Sequence, residues 1–318
     1  MKRIVLCFIF SVSGLLVQAQ LLLSENFDYP IGSDIYSHGW TIHSGASHND
    51  SITVTNGLVY DGYPGSGTGG AALLDSVYAD QHKKFEAQTS GNVYIAFLVN
   101  VTKATINGDY FLHTGASSLK AYFGRVFVIK EPFSEDLAFG LLYSGTSTES
   151  LTPSYSNYIY KLNANYLIVL KYVIDGENSY ASFIVNPSFT ESEPTKGWIS
   201  DKQGTTTKPD NIGSVALRQG AKGYAPKLVV DGIRVSKSWN DLFIISGLSS
   251  PKNSFKIFRE GNYLIVEKAI DTDAVEIYNS VGCKIYSSKF RNEAIDIGNL
   301  AKGIYIVCVG KNIQKIVI

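Results

Sequence analysis

Residues 93–101 read VYIAFLVNV, nine positions of which only Asn100 is polar. A strand turns successive side chains to opposite faces, so a run this uniformly apolar is apolar on both. It suits a strand buried between two layers, and its β-branched and aromatic content favours strand over helix. The same texture recurs on either side. Asp109–Thr114, Ala121–Ile129 (AYFGRVFVI), Leu137–Tyr143, Tyr166–Ile174 (YLIVLKYVI), Tyr180–Val185 and Lys227–Ser236 (KLVVDGIRVS) are further short runs between turn residues. No stretch sustains a helical period, and Tyr 20, Phe 16 and Gly 29 stand beside a single Met. The expectation is an all-β chain whose main part is a β-sandwich.

The last stretch, residues 273–318, is DAVEIYNSVGCKIYSSKFRNEAIDIGNLAKGIYIVCVGKNIQKIVI. Asn279-Ser280-Val281-Gly282 and Asn299–Gly303 are turn signals between short strands. Tyr305, Val307 and Val309 share one strand face and Ile304, Ile306 and Cys308 the other. A small antiparallel, Ig-like sandwich over 251–318 follows. The order of EIYNSVG, IDIGNLAKGIYIV and terminal QKIVI resembles the C-terminal sorting domain of the type IX secretion system of Bacteroidetes. That resemblance implies export through the periplasm to the cell surface or extracellular space. It implies as partners the type IX machinery and its sortase-like peptidase.

The N-terminus is consistent with export. Lys2 and Arg3 precede an apolar Ile4–Leu16, too short to span a bilayer, and Val17-Gln18-Ala19 offers a small-residue cleavage site. The expected organisation is a signal peptide at 1–19, a sandwich at 20–243, a Gly/Ser-rich linker at 244–250 and the sorting domain at 251–318. No second long apolar run exists, so no transmembrane span is expected after cleavage. Of three cysteines, Cys7 leaves with the leader, and Cys283 and Cys308 are left either to pair or to stay free. Charge balances at 28 basic and 28 acidic side chains, with no basic stripe for nucleic acid.

Within 21–243, ENFDYPIG (25–32) with Gly39-Trp40, FGRVFVIKE (123–131), FIVNPSFTESEP (183–194) and LVVDGIRVSKSWNDL (228–242) together resemble laminin-G-like, concanavalin A-like jelly rolls of bacterial surface proteins. The resemblance implies two curved sheets, one of them often ligand-facing, and no single activity, because lectins, adhesins and glycanases share the fold. It also implies a structural calcium held by an acidic residue near the first strand and an Asp on the last. Glu25, Asp28 and Asp231 occupy those places.

Glycanases of that superfamily carry a Glu-x-Asp-x-x-Glu strand, which is absent. Glu191-Ser192-Glu193 and Glu131, Glu135 and Asp136 lie in Pro-flanked loops and read as solvated charge. His38, His43 and His48 recur every five residues, a spacing that puts them on no common face. Residues 65–70, GSGTGG, contain a Gly-x-Gly-x-x-Gly, but no βαβ unit follows to make it a dinucleotide site. Sugar binding needs exposed aromatic faces and a few orienting polar groups. Tyr63 and Tyr155, read as exposed, with Tyr122 and Arg125, are the candidates. The resulting expectation is a lectin-like protein that binds glycan or another surface polymer without chemistry. The alternatives are a polysaccharide-degrading enzyme, hydrolase or lyase, with an unrecognised site, and a structural or adhesive protein with no small ligand.

Overall fold

The computed structural model describes residues 21–45, 51–75, 79–119, 121–144, 151–188, 192–204, 209–243, 256–267, 274–289, 294–309 and 312–318. The leader expected at 1–19 and the linker expected at 244–250 lie outside them. The chain divides into two compact units between Ile244 and Ile245.

In chain order the first unit contains β1 (Leu21–Glu25), β2 (Thr41–Ser44), β3 (Thr53–Asn56), β4 (Gly70–Leu74), β5 (Asp80–Gln88), β6 (Gly91–Lys103), β7 (Asp109–Gly115) and β8 (Tyr122–Lys130). It continues with β9 (Leu137–Leu142), β10 (Ser154–Tyr155), β11 (Asn165–Ile174), β12 (Tyr180–Val185), β13 (Ile199–Asp201), β14 (Ile212–Leu217), β15 (Lys227–Ser236) and the single helical turn α1 (Trp239–Leu242). Among the described residues these form two antiparallel sheets. One runs β13-β12-β11-β6-β15-β4-β3, with β1 also on β15, and the other runs β10-β9-β8-β7-β14-β5-β2. The many crossovers between consecutive strands are those of a jelly-roll sandwich. The core between the sheets takes Val93, Ile95, Phe97 and Val99 from β6, Ile168, Leu170 and Tyr172 from β11, and Phe123, Val126, Phe139, Leu141, Val215 and Leu217 from the facing sheet.

The apolar texture of β6 and β11 on both faces has a second cause. The outer face of their sheet is covered too: Tyr94, Ala96, Leu98, Leu167 and Val169 pack with Tyr63, Ile184, Trp239 and Leu242. This corrects the reading of Tyr63 as an exposed ligand platform. The glycine loop after Tyr60 folds back onto that face, helped by positive φ at Gly62, Gly65, Gly67 and Gly69. Tyr63 ends 3% exposed, with its hydroxyl donating to the Gly232 carbonyl at 2.7 Å. Within the polar stretch 187–211, β13 pairs with β12 through Ala181–Phe183.

The C-terminal unit contains β16 (Lys256–Glu260), β17 (Tyr263–Glu267), β18 (Ala274–Asn279), β19 (Lys284–Lys289), β20 (Ile295–Asp296), β21 (Ile304–Val309) and β22 (Asn312–Val317). They form β16-β17-β20 and β19-β18-β21-β22 sheets around Leu264, Val275, Ile277, Ile295, Tyr305, Val307 and Val309. The alternation along β21 is as its sequence dictates: Tyr305, Val307 and Val309 are buried, while Ile304 is exposed. The Asn279 side chain accepts from the Val281 and Cys283 amides and closes the β18–β19 turn, with Gly282 at φ +81. Cys283 and Cys308 are both free.

Candidate functional site

The outer face of the first sheet is occupied, so the site lies on the outer face of the second. Register places it there. Ala216 on β14 stands opposite His82 of β5 on one side and His113 of β7 on the other. Residues directly across from each other share a face. Val215 and Leu217 point into the core, so His82, Ala216 and His113 point out.

The His43 ring, from β2, lies over this row, 5.2 Å from the His82 ring and 5.7 Å from that of His113. Tyr122 stacks at a tilt on His113 at 4.4 Å. Next along, Tyr110 lies 5.9 Å from His113. The Arg218 guanidinium sits 4.1 Å from the Tyr110 ring centre and that of Arg125 5.5 Å from it, both within cation–π range. Phe127 continues the strip 5.4 Å from Tyr110. Beyond it Tyr155 lies across Gly140, where an added Cβ would stand 2.5 Å from the phenol ring. Gly140 is therefore what lets that ring lie flat on the sheet.

Electrostatically the patch is mostly neutral imidazole and phenol. Burial pushes His43 down to about 4, helped by His82, and pushes His113 down to about 3. His113 Nδ1 bonds the Thr114 carbonyl at 3.0 Å, while its Nε2 and both His43 nitrogens find no hydrogen-bond partner among the described residues. Burial raises Tyr155 to about 12. Two carboxylates flank the patch. Asp109 pairs with Arg218 at 2.6 Å and accepts from the Ala221 amide at 3.1 Å. Asp80, pushed up to about 6 by burial, accepts from the Gln219 amide at 3.0 Å. Both brace the 218–221 turn rather than facing each other across a groove.

Three of the four ligand candidates, Tyr122, Arg125 and Tyr155, thus fall on one face, and Tyr63 does not. Sequence reasoning weighed His43 only as one of a spaced histidine set and missed His82, His113 and Arg218; β2, β5, β7 and the residue that follows β14 bring the four together.

The expected calcium ligands are placed differently from a metal set. Glu25, buried at the end of β1, accepts from the Phe27 amide (2.9 Å), the Tyr29 hydroxyl (2.9 Å) and the Trp40 indole (3.2 Å), and it pairs with the Lys83 ammonium. Lys83 also lies over the Tyr29 and Trp40 rings. Asp28 is exposed. Asp231, raised to about 7 by burial, accepts from the Leu58 amide at 2.7 Å and its own neighbour Gly232 at 2.5 Å. Among the described residues no three His, Cys, Asp or Glu side chains are placed to hold a metal ion. The cation beside Glu25 is an internal lysine.

Residues 259–318 match the family described as the secretion system C-terminal sorting domain. No curated protein matches the chain. Among solved structures, the chain is similar to domain 4 of AbnA, a GH43 extracellular arabinanase from Geobacillus stearothermophilus, in complex with arabinotriose. Identity is 16%, the match covers 71% of this chain and 98% of that one, and the TM-score is 0.38. It is also similar to an endo-1,3-beta-glucanase from Streptomyces sioyaensis (11% identity, 68% and 95% coverage, TM-score 0.40). A third is the alginate lyase PA1167 from Pseudomonas aeruginosa (7% identity, 62% and 97% coverage, TM-score 0.39). The sorting domain marks this protein for export to the cell surface or extracellular space, and among the described residues no helix is long and apolar enough to cross a membrane.

Proposed function

We propose that this exported protein binds a glycan or another surface polymer, without chemistry, on the outer face of its seven-stranded sheet. The observation that carries the reading is the Tyr155–Phe127–Tyr110–Tyr122 strip with Arg125 and Arg218 laid beside it. Sugar rings stack on aromatic faces through their C–H groups, and guanidinium donors fix their hydroxyls or acidic groups. The buried, neutral imidazoles of His43 and His113 pack beside the strip without adding charge. The carboxylates of the patch are engaged with main-chain amides and Arg218, which leaves no acid–base pair on opposite sides of a bound sugar.

The test is a glycan array probed with the full chain and with Tyr122→Ala and Arg125→Ala. Binding of at least one glycan, weakened about tenfold or more by either substitution, supports the reading. Silence of the wild type across plant, algal and host glycans refutes it in favour of a structural or adhesive surface protein. One feature favours the enzyme reading, Asp80 held near neutrality by burial beside Asp109. New reducing ends or unsaturated sugars from a bound polysaccharide, abolished by Asp80→Asn, would establish that reading instead.

A further inference from the structure

Four loops of the first unit meet at one end of the sandwich: 104–108, 131–136, 156–161 and 220–226. The Lys130 amide donates to the Thr105 carbonyl at 3.0 Å, and Leu137 and Tyr160 exchange backbone hydrogen bonds of 2.8 and 3.2 Å. The Thr105 hydroxyl reaches the Tyr224 carbonyl at 3.4 Å. Each loop carries a large apolar side chain into water. Phe133 is 96% exposed, Ile159 64% and Ile106 55%, with Tyr224 and Tyr158 also exposed. Scattered exposed apolar residues need no explanation, but five on four touching loops form a patch on the order of several hundred Å².

These tips are held in place. The Phe133 amide donates to the Glu131 carboxylate at 2.8 Å, and the Asp136 amide donates to the Ser134 hydroxyl at 3.1 Å, which closes the turn behind the ring. Asp136 pairs with Lys161 and Glu135 with Lys130, tying the loop to its neighbours. The ring does not fold back onto the body of the protein.

The charge around them is also particular. Lys103, Lys130, Lys161, Lys222 and Lys227 surround the tips, against Asp75, Glu131, Glu135 and Asp136; Lys130, Lys161 and Lys227 pair with Glu135, Asp136 and Asp75, and Lys103 and Lys222 stand exposed beside them. Residues 21–250 as a whole carry 16 basic and 21 acidic side chains, so this end is locally positive on a unit that is net negative. Lys103 and Lys227 stand directly opposite each other in the β6–β15 register. Lys227 turns to Asp75, whose carboxylate lies 3.3 Å from its ammonium, while Lys103 stays exposed.

We infer that this end of the sandwich docks on an anionic lipid surface. Separate side chains on separate tips offer no groove for a peptide and no flat face for a second sheet. A bilayer accepts such tips one by one: Phe and Ile enter the acyl boundary and Tyr stays at headgroup level. Lysine stems lie along the apolar boundary while their ammonium groups meet lipid phosphates. Export to the cell surface or extracellular space leaves this end of the protein free to meet such a surface.

The experiment is co-sedimentation of the full chain with phosphatidylcholine vesicles, with and without phosphatidylglycerol. Wild type is expected in the pellet with the anionic vesicles, in a salt-sensitive manner. Phe133→Ser with Ile159→Ser should lower the partition at least about tenfold, and Lys103→Glu with Lys222→Glu should abolish the preference for phosphatidylglycerol. Since Phe133, Ile159 and the substituted lysines are exposed, melting followed by tryptophan emission should not change. No sedimentation with either vesicle overturns the inference, as does sedimentation that the double serine variant retains. Concentration-dependent self-association lost in that variant also overturns it, because the occupant would then be a second copy of the chain.

Discussion

Glu25 and Lys83 give the sharpest test of how the first unit is held together. The Glu25 carboxylate takes four donors, and its side chain is 4% exposed against 22% for Lys83. Glu25→Ala strands the Lys83 ammonium over two aromatic rings and leaves the buried Trp40 indole N–H without its acceptor. Removing one partner of a buried pair costs about 3–5 kcal/mol, and the partial exposure of Lys83 favours the lower end, about 3 kcal/mol. In a unit of this size that lowers Tm by about 6–12 °C. Lys83→Met leaves the carboxylate with three donors and should cost only about 1–2 kcal/mol. The double variant should be less destabilised than the sum, by about 1–2 kcal/mol. All three tryptophans, Trp40, Trp198 and Trp239, lie in the first unit, so their emission on heating reports that unit alone within the full chain. If Lys83→Met equals or exceeds Glu25→Ala, or if the two effects add, then Glu25 is not held as described.

Three other outcomes are expected. Calcium added to the EDTA-treated chain should leave the tryptophan melting curve where it was, because Lys83 holds the place beside Glu25; a calcium-dependent rise in Tm would restore the metal reading. His113 stays neutral down to about pH 3 in the fold but takes a proton below about pH 6.5 when unfolded. Its contribution is whole above that higher pH and is lost at about 1.4 kcal/mol per unit as pH falls toward 3. Asp80, raised to about 6, and Asp231, raised to about 7, work in the opposite sense, so the quantity to measure is the stability difference between wild type and His113→Phe. It should shrink by about 2 kcal/mol from pH 7 to pH 5, and a constant difference would contradict the burial of the ring. A chain ending at Phe258 should accumulate in the periplasm, and its appearance outside the cell in fractionation would contradict sorting by residues 259–318.

What the sequence made legible follows from where each strand lies. β6 and β11 are buried on both faces, so apolar runs announce them, and β12 and β15 were readable residue for residue. β5, with the sequence DQHKKFEAQ, was not. One of its faces carries His82 and the other sends Lys83 to Glu25, so neither shows the apolar alternation of an ordinary sandwich strand. Tyr63 misled because nothing in a glycine-rich loop says which way it folds, whereas its hydroxyl found a main-chain acceptor inside. The site itself shows the limit most clearly. Tyr122 and Arg125 are three apart, a spacing that puts residues of a regular strand on opposite faces. They share a face because β8 carries an irregularity between Phe123 and Val126, where Gly124 has φ +53 and points inward at Leu170 and Tyr172. A strict two-residue count would have separated the two residues that best define the patch. It would also have missed His43, His82 and His113, which meet only because β14, carrying the small Ala216, lies between β5 and β7. Aromatic content along a strand shows that a face exists; which residues meet on it is decided by the bulge and by the order of strands, and neither leaves a mark in the local period.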